Sequence, residues 1–227
     1  MFSRVACLGL LLFSGLTVVV IQAGEAPGKH PLTGREYAWP MGVAGAPWLD
    51  RPERIREEQP ERALDLIDIK AGSIVADIGA GSGYFTERLA RRVGQSGRVY
   101  ANDIQPGMLD LIEARMESKK LTNIVPVLGA VDDPKLPAGV LDLALMVDVY
   151  HEFSNPEAML RGLAVSLKPG GRLVLLEYRA EDSKLNILAD HKMTKTQVQR
   201  EVEAAGFQLE RIDDRLPVQH LFIFRKP

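Results

Sequence analysis

The sequence predicts an α/β fold in which a mostly parallel β-sheet carries helices on both faces. Three observations support this prediction. From residue 74 onward, short apolar runs typical of buried strands alternate with helical segments. A glycine-rich stretch follows the first of these runs and precedes a helix. Apolar residues form 46% of the 227-residue chain and charged residues 26%, which suits one folded domain with a short extension.

The apolar pattern places each element in turn. Strands are predicted at residues 74–78, 98–103, 124–128, 141–147 and 172–177, followed by two final strands near 207–212 and 219–225. Helices are predicted at residues 52–67, 84–93 and 106–120, and after Asn155, which precedes Pro156 at a helix start. A capping-box pattern from Thr194 to Gln197 opens the last helix, and residues 168–171 predict a turn. Repeated βα units imply three layers.

The first residues read as a targeting segment. Arg4 is the only charge before Glu25, residues 5–21 are almost wholly apolar, and small residues follow. This pattern predicts that residues 1–23 form a signal peptide or an uncleaved membrane anchor, and therefore export to the periplasm or membrane association. A cytoplasmic location follows if that interpretation is wrong. Residues 24–70 are predicted to form an arm and a helix that cap the site, and residues 71–227 the main domain.

Charge and cysteine content narrow the function classes. The formal net charge is −2, so the chain has no basic surplus for a phosphate backbone, and a nucleic-acid substrate is not expected. Cys7 is the only cysteine and falls in the predicted leader. The mature chain would then contain no disulfide and no thiolate metal site.

The run DIGAGSG at residues 77–83 predicts a ligand site at a strand-to-helix turn. Gly79, Gly81 and Gly83 let the backbone turn sharply and a ligand approach closely. The spacing differs from the G-x-G-x-x-G of dinucleotide sites, and Asp77 would repel a pyrophosphate. A carboxylate suits the ammonium and sulfonium groups of S-adenosylmethionine. Asp103 closes the second strand and can accept both ribose hydroxyls, while Ile104 offers an apolar contact to adenine.

These features, with KPGG at residues 168–171 before a strand, resemble class I S-adenosylmethionine-dependent methyltransferases over about residues 64–225. The resemblance implies a Rossmann-like three-layer sandwich whose mostly parallel seven-stranded sheet has an antiparallel last strand. It also implies a set of residues that bind S-adenosyl-L-methionine: Asp77, Gly79, Ala80, Gly81, Gly83, Tyr84, Asp103, Ile104, Asp132 and Asp148. Asp132 is the preferred adenine partner, and the Ala130 and Val131 backbone is the alternative.

By the same resemblance, the segment VDVYHEF at residues 147–153 lies beside the transferred methyl group. His151 is the best general-base candidate because an unperturbed histidine titrates near pH 6.5. Asp148 and Tyr150 are further catalytic candidates. Glu152 belongs to the same polar segment, and its simpler interpretation is an exposed carboxylate at the start of the next helix. His191 could reach the mouth of the site. No metal-ligand spacing is present, so no metal is expected.

The leading interpretation is a methyltransferase that acts on a small-molecule acceptor by in-line transfer. An aromatic arm with Tyr37, Trp39 and Trp48 could contact the sulfonium or close over the site, or could simply pack on the sheet. Two other functions stay open. One is a non-catalytic S-adenosylmethionine-binding protein, and the less favoured one is a nicotinamide-dependent oxidoreductase.

Overall fold

A seven-stranded sheet forms the centre of the fold, in the order β3-β2-β1-β4-β5-β7-β6. The computed structural model describes residues 28–227, so the predicted leader lies outside the described residues. The strands are β1 (Ile74–Ile78), β2 (Arg98–Asp103), β3 (Ile124–Leu128), β4 (Leu141–Val147), β5 (Leu167–Tyr178), β6 (Gln208–Asp213) and β7 (Gln219–Arg225). β1 to β5 pair in parallel, whereas β7 runs antiparallel to both β5 and β6. The predicted fold class is confirmed.

Helices cover both faces of the sheet. They are α1 (Ala46–Leu49), α2 (Arg54–Glu58), α3 (Pro60–Ile67), α4 (Tyr84–Val93), α5 (Pro106–Lys119), α6 (Pro156–Ser166) and α7 (Lys195–Ala204). One buried cluster joins the sheet to α3, α4 and α5, and a second joins it to α6 and α7. Within residues 28–227, no helix combines the length and the apolar character that crossing a membrane requires.

The helix predicted at residues 52–67 is two helices. Gln59 adopts a left-handed backbone with φ of 50° and separates α2 from α3. Pro60 explains the break, because a proline disfavours the helical conformation of the residue before it and begins a helix well. The break turns α2 toward the sheet, where Arg54 and Glu58 become buried.

Two other boundaries show how capping and pairing act. The predicted turn at residues 168–171 is part of β5, which already pairs at Leu167 with Leu141 before a register shift. Asn155 takes the N-cap position of α6, but its side chain makes no capping hydrogen bond. Both halves of the capping box from Thr194 to Gln197 are present at α7.

The N-terminal arm, residues 28–51, is fixed to the sheet by a buried ion pair. Arg35 Nε donates to both carboxylate oxygens of Glu201 in α7, at 3.0 and 3.1 Å. Arg35 Nη1 also donates to the His151 carbonyl at 3.0 Å, and the Ala38 amide donates to the same carbonyl at 3.0 Å. The arm therefore holds the segment that follows β4.

Candidate active site

A cavity of about 370 Å³ lies at the carboxyl ends of β1, β2 and β4. This edge is where a parallel sheet places its ligand crevice. The wall contains the loop after β1, the end of β2 and the segment after β4. The arm closes the other side with Met41 and Trp48.

The glycine-rich loop brings bare backbone to the cavity wall. Gly79 and Gly81 line the cavity with φ of 64° and 54°, a left-handed conformation that favours glycine. A Cβ at Gly79 would lie 2.3 Å from Val149 Cγ2, and one at Gly81 would lie 2.7 Å from Leu49 Cδ1. Glycine is therefore required at both positions, because a side chain there would collide with Val149 or Leu49.

Asp103 ties the glycine loop to the end of β2. Its Oδ2 accepts the Gly81 amide at 2.9 Å, and its Oδ1 accepts the Gln105 amide at 2.9 Å. Burial raises the pKa of the Asp103 carboxyl, although the backbone hydrogen bonds act in the opposite direction. Asp103 and the half-exposed Ile104 both line the cavity, as the sequence predicts.

Asp77 lies behind the loop rather than in the cavity wall. Its carboxylate is buried and accepts a hydrogen bond from Thr86 Oγ1 at 2.6 Å. Burial is the main reason that the pKa of Asp77 is raised to about 6, while the Thr86 hydroxyl and Arg54 lower it. Asp77 therefore supports the turn by joining the end of β1 to the first turn of α4.

Three other predicted cofactor residues also lie outside the cavity wall: Ala80, Gly83 and Tyr84. Tyr84 packs between two guanidinium groups, with Arg54 Cζ at 4.5 Å and Arg88 Cζ at 3.8 Å from its ring centroid. Tyr84 is buried in the cluster that joins the sheet to α3, α4 and α5. Gly83 has φ of 80° and caps α4.

The preferred adenine partner, Asp132, is exposed and does not line the cavity. Ala130 and Asp133 form an antiparallel bridge, with the Ala130 amide 2.8 Å from the Asp133 carbonyl. This tight turn leaves Asp132 at its tip, in solvent. The alternative residues, Ala130 and Val131, do line the cavity.

Asp148 lines the cavity and has one buried carboxylate oxygen, Oδ1. Its backbone is left-handed, with φ of 49°. Gln219 Nε2 donates to Oδ2 at 2.7 Å, whereas Oδ1 has no hydrogen-bond partner among residues 28–227. Burial raises the pKa of Asp148 well above its ordinary value, and the charges of Glu58 and Glu177 add to this effect. A cationic ligand group would satisfy this carboxylate.

His151 lines the cavity and forms a buried pair with Glu177. Its Nδ1 lies 2.6 Å from Glu177 Oε2, and Glu177 Oε1 accepts the Tyr150 amide at 2.9 Å. Burial opposes the charged imidazole, but the charge and hydrogen bond of Glu177 outweigh it and raise the pKa of His151. The sequence prediction missed Glu177, whose only signal is a lone acid in the apolar run of β5.

Tyr150, a predicted catalytic residue, does not reach the cavity. It is fully buried in the cluster beneath α6 and α7, with Arg35 Cζ 5.2 Å from its ring centroid. Residues 150–152 form one 3-10 turn, in which successive side chains point about 120° apart. The turn that directs His151 into the cavity therefore directs Tyr150 away from it.

Glu152 and His191 both line the cavity. The Met41 amide donates to Glu152 Oε1 at 3.3 Å, and burial raises the pKa of Glu152 to about 7. His191 Nδ1 lies 2.9 Å from Asp190 Oδ1, and its ring centroid lies 5.1 Å from that of His151. His191 therefore lies beside His151 in the cavity wall.

Only one aromatic residue of the arm lines the cavity. Trp48 does so, and Arg51 Cζ lies 3.7 Å from its ring centroid. Trp39 is exposed and Tyr37 packs against Arg35, at 5.1 Å, outside the cavity wall.

An ionic network that was not predicted from the sequence supports the cavity wall. Arg54 and Tyr178 line the cavity, and both bind the buried Glu58. Arg54 Nε donates to Glu58 Oε2 at 2.6 Å, and the Tyr178 hydroxyl donates to Oε1 at 2.9 Å. The network joins α2 to the end of β5.

Comparisons with known proteins support a methyltransferase domain. Residues 75–171 match a family described as a methyltransferase domain. The demethylmenaquinone methyltransferase of Tropheryma whipplei is 38% identical over 116 residues, which cover 51% of this chain and 46% of that protein. The ubiquinone/menaquinone biosynthesis C-methyltransferase UbiE of Hydrogenovibrio crunogenus is 29% identical over 117 residues, with the same shares. The match thus spans about half the length of these relatives.

Solved structures share the fold. A SAM-dependent methyltransferase from Aquifex aeolicus aligns with a TM-score of 0.79 at 24% identity, covering 83% of this chain and all of that one. Phosphoethanolamine N-methyltransferase 2 of Haemonchus contortus, in complex with S-adenosyl-L-methionine, aligns with a TM-score of 0.65 at 14% identity, covering 82% and 57%.

The fold and the site define a class I methyltransferase domain. The match of residues 75–171 to a methyltransferase domain and the shared fold support the predicted class I S-adenosylmethionine-dependent methyltransferase and its cofactor. The residues present fit this cofactor. Gly79 and Gly81 bring bare backbone to the cavity wall, Asp103 presents a buried carboxylate, and Asp148 Oδ1 offers a buried acceptor to an ammonium group.

Proposed function

We propose that this chain transfers a methyl group from S-adenosylmethionine to a small-molecule acceptor by in-line displacement. The observation that carries the proposal is that His151, which Glu177 holds from behind, lines the same cavity as the glycine loop and Asp103. Cofactor-binding and proton-accepting groups thus meet in one cavity. A protein that only binds the cofactor needs no such pair.

Each group has a role in this proposal. Gly79 and Gly81 let the cofactor approach the backbone, Asp103 accepts its ribose hydroxyls, and Asp148 binds its ammonium group. When bound, the cofactor supplies an electrophilic methyl group on a sulfonium sulfur. The protein aligns the acceptor with that methyl group and excludes water.

His151 is suited to receive a proton from the acceptor. Glu177 binds Nδ1, so the Nδ1–H tautomer is favoured and Nε2 remains as the basic nitrogen. The carboxylate also stabilises the imidazolium that forms. The assignment of Nε2 as the base follows from this hydrogen bond.

The size and rim of the cavity favour a small acceptor with an apolar part. A volume of about 370 Å³ lies at the lower end of the range of small-molecule pockets. Several cavity-lining residues are large, apolar and exposed: Trp48, Ile104, Val131 and Leu188. Because two relatives are named for quinone biosynthesis, quinols belong in the panel of acceptors to be tested.

The test measures cofactor binding and turnover separately. S-adenosylhomocysteine should stabilise the purified chain in a thermal-shift titration, and NAD should not. A panel of thiols, amines, phenols and quinols is then screened for release of S-adenosylhomocysteine. With an active acceptor, His151→Gln should lower turnover by about 10²-fold or more while S-adenosylhomocysteine affinity is retained. His220→Gln is the matched control, because His220 is a buried histidine outside the cavity wall.

Two results would contradict the proposal. Stabilisation by NAD alone would favour the oxidoreductase. Binding of S-adenosylhomocysteine without turnover of any acceptor in the panel would favour a non-catalytic binding protein.

The sequence alone supports a proposal on location. Residues 1–23 would export the chain or anchor it in a membrane. Cell fractionation of a C-terminally tagged chain tests this, and a purely cytoplasmic signal would reject it.

A further inference from the structure

Three potential metal ligands meet in the cavity wall, although the sequence has no metal-binding motif. His151 and Glu152 belong to the 3-10 turn after β4, and His191 ends a second 3-10 turn, Ala189–His191. One candidate ligand atom from each residue lies within 4.8 Å of the other two. The two histidines are 40 positions apart in the chain, so spacing could not reveal the cluster.

Both histidines are oriented by a carboxylate. His151 Nδ1 lies 2.6 Å from Glu177 Oε2, and His191 Nδ1 lies 2.9 Å from Asp190 Oδ1. Their Nε2 atoms are therefore left to act as ligands. Histidines that bind metal ions commonly donate their other ring nitrogen to a carboxylate, which fixes the tautomer and makes the ligand more basic.

Glu152 provides the third ligand. Its side chain is contacted only weakly, by the Met41 amide at 3.3 Å from Oε1. Among the described residues it forms no ion pair with lysine or arginine. Glu177 and Asp190 add two more carboxylates around the histidines, so the site is rich in negative charge.

We propose that His151, Glu152 and His191 bind one divalent transition-metal ion in the cavity wall. Two imidazoles and one carboxylate form the ligand set of catalytic zinc sites that keep further positions open. The same set also suits iron(II) and cobalt(II). Zinc ligands 2.0–2.1 Å from the metal are about 3.4 Å apart in a tetrahedron, so binding draws the three atoms closer than 4.8 Å.

The metal site deepens the proposed methyl transfer and rests on it. A metal ion with open positions would bind the oxygen, sulfur or nitrogen of the acceptor and lower its pKa. The proton of the acceptor then passes to water, and the lone pair of the acceptor atom forms the bond to the methyl carbon. The bond between that carbon and the sulfonium breaks, and its electron pair stays on sulfur. With the metal bound, His151 Nε2 is a ligand and no longer the base proposed above, and the acceptor loses its proton to water before water leaves the cavity.

Zinc titration of the untagged, EDTA-treated full chain tests the site. Calorimetry should give one zinc ion per chain, and cobalt(II) should give the visible absorption of a low-coordinate site. His191→Ala should weaken zinc binding by about 100-fold or more, and Glu177→Gln, which removes an orienting carboxylate, by about 10- to 100-fold.

His220→Gln is the matched control. His220 is buried between two carboxylates, with Nδ1 2.6 Å from Asp214 and Nε2 2.9 Å from Glu181, outside the cavity wall. The zinc affinity of His220→Gln should equal that of the wild type. Circular dichroism of each variant shows whether the chain is still folded. His191→Gln is a second variant that removes the imidazole ligand, so a loss of zinc binding can be distinguished from unfolding.

The outcomes for metal and cofactor are independent. S-adenosylhomocysteine is titrated into the same samples. If the wild type binds S-adenosylhomocysteine but no zinc, only the proposed metal site is rejected. Zinc binding that is equally strong in His191→Ala and wild type also overturns it. A chain that binds zinc at the predicted residues but not S-adenosylhomocysteine supports the metal site and rejects the proposed function.

Discussion

Replacing Asp77 with asparagine should change how the stability of the fold depends on pH. Asp77 is buried, and its pKa is about 6 instead of the ordinary 3.8. In the folded state this carboxyl therefore keeps its proton over a range in which the unfolded chain has lost it. Stability consequently falls as pH rises from about 4 to about 6 and then levels off.

The size of the effect follows from the two pKa values. The difference between 3.8 and about 6 corresponds to about 3 kcal/mol, because each unit of pKa is worth 1.36 kcal/mol. Asparagine has no charge to desolvate, and its amide oxygen can still accept the Thr86 hydroxyl. The free energy of unfolding of Asp77→Asn, relative to wild type, should thus rise by up to about 3 kcal/mol between about pH 4 and about pH 7.

Urea unfolding of the variant and of the wild type at several pH values measures this difference. Contributions from groups common to both proteins cancel in it. The same substitution at the exposed Asp132 is the matched control. A difference that stays flat over the whole range, or that falls as pH rises, would refute the assignment of a buried, hard-to-ionise carboxyl behind the loop.

Three further substitutions test the loop, the arm and the 3-10 turn. Gly79→Ala should lower the affinity for S-adenosylhomocysteine more than about tenfold. The left-handed φ costs an alanine about 1–2 kcal/mol, and its Cβ would lie 2.3 Å from Val149. Unchanged affinity in calorimetry would contradict this prediction. Glu201→Gln should lower the free energy of unfolding by about 3–5 kcal/mol, because Arg35 is left buried without its counter-ion. A loss of less than about 1 kcal/mol in urea titration would contradict the role of this ion pair in holding the arm. Tyr150→Phe should leave turnover unchanged in steady-state kinetics, whereas a loss of about 10²-fold would restore Tyr150 as a catalytic residue.

Much of the sheet could be predicted because its central strands, β1 and β4, are buried on both faces. The bounds of β1, β2, β3 and β4 match the prediction, since β1, β3 and β4 are nearly continuous apolar runs and β2 has an apolar centre at residues 99–101. The break at Gln59 was missed, although the proline that causes it is visible in the sequence. The start of β5 depends on pairing with Leu141, which no local pattern records.

The parts of the site that come from neighbouring segments of the sequence could be predicted. The glycine loop and Asp103 lie at the ends of neighbouring strands, so sequence order places them together. Glu177 and His191 meet His151 only because β4 pairs with β5 and a second turn folds back over the cavity. A contact of that kind depends on tertiary structure.

Side-chain direction was the other limit. Tyr150 and His151 are adjacent in sequence, yet the 3-10 turn separates them into core and cavity. Asp132 stands at a tip that the short bridge between Ala130 and Asp133 creates. Residue type could suggest chemistry at these positions but could not give orientation.

Titration of S-adenosylhomocysteine into the wild type, Asp103→Asn and Asp132→Asn tests the central claim most directly. A hydrogen bond to a charged group is worth about 1.5–3 kcal/mol, so Asp103→Asn should bind about 10- to 100-fold more weakly. Asp132→Asn should bind as tightly as the wild type, because its side chain is exposed and lies outside the cavity wall. Equal affinity of all three proteins, or a loss confined to Asp132→Asn, would contradict the cofactor site described above.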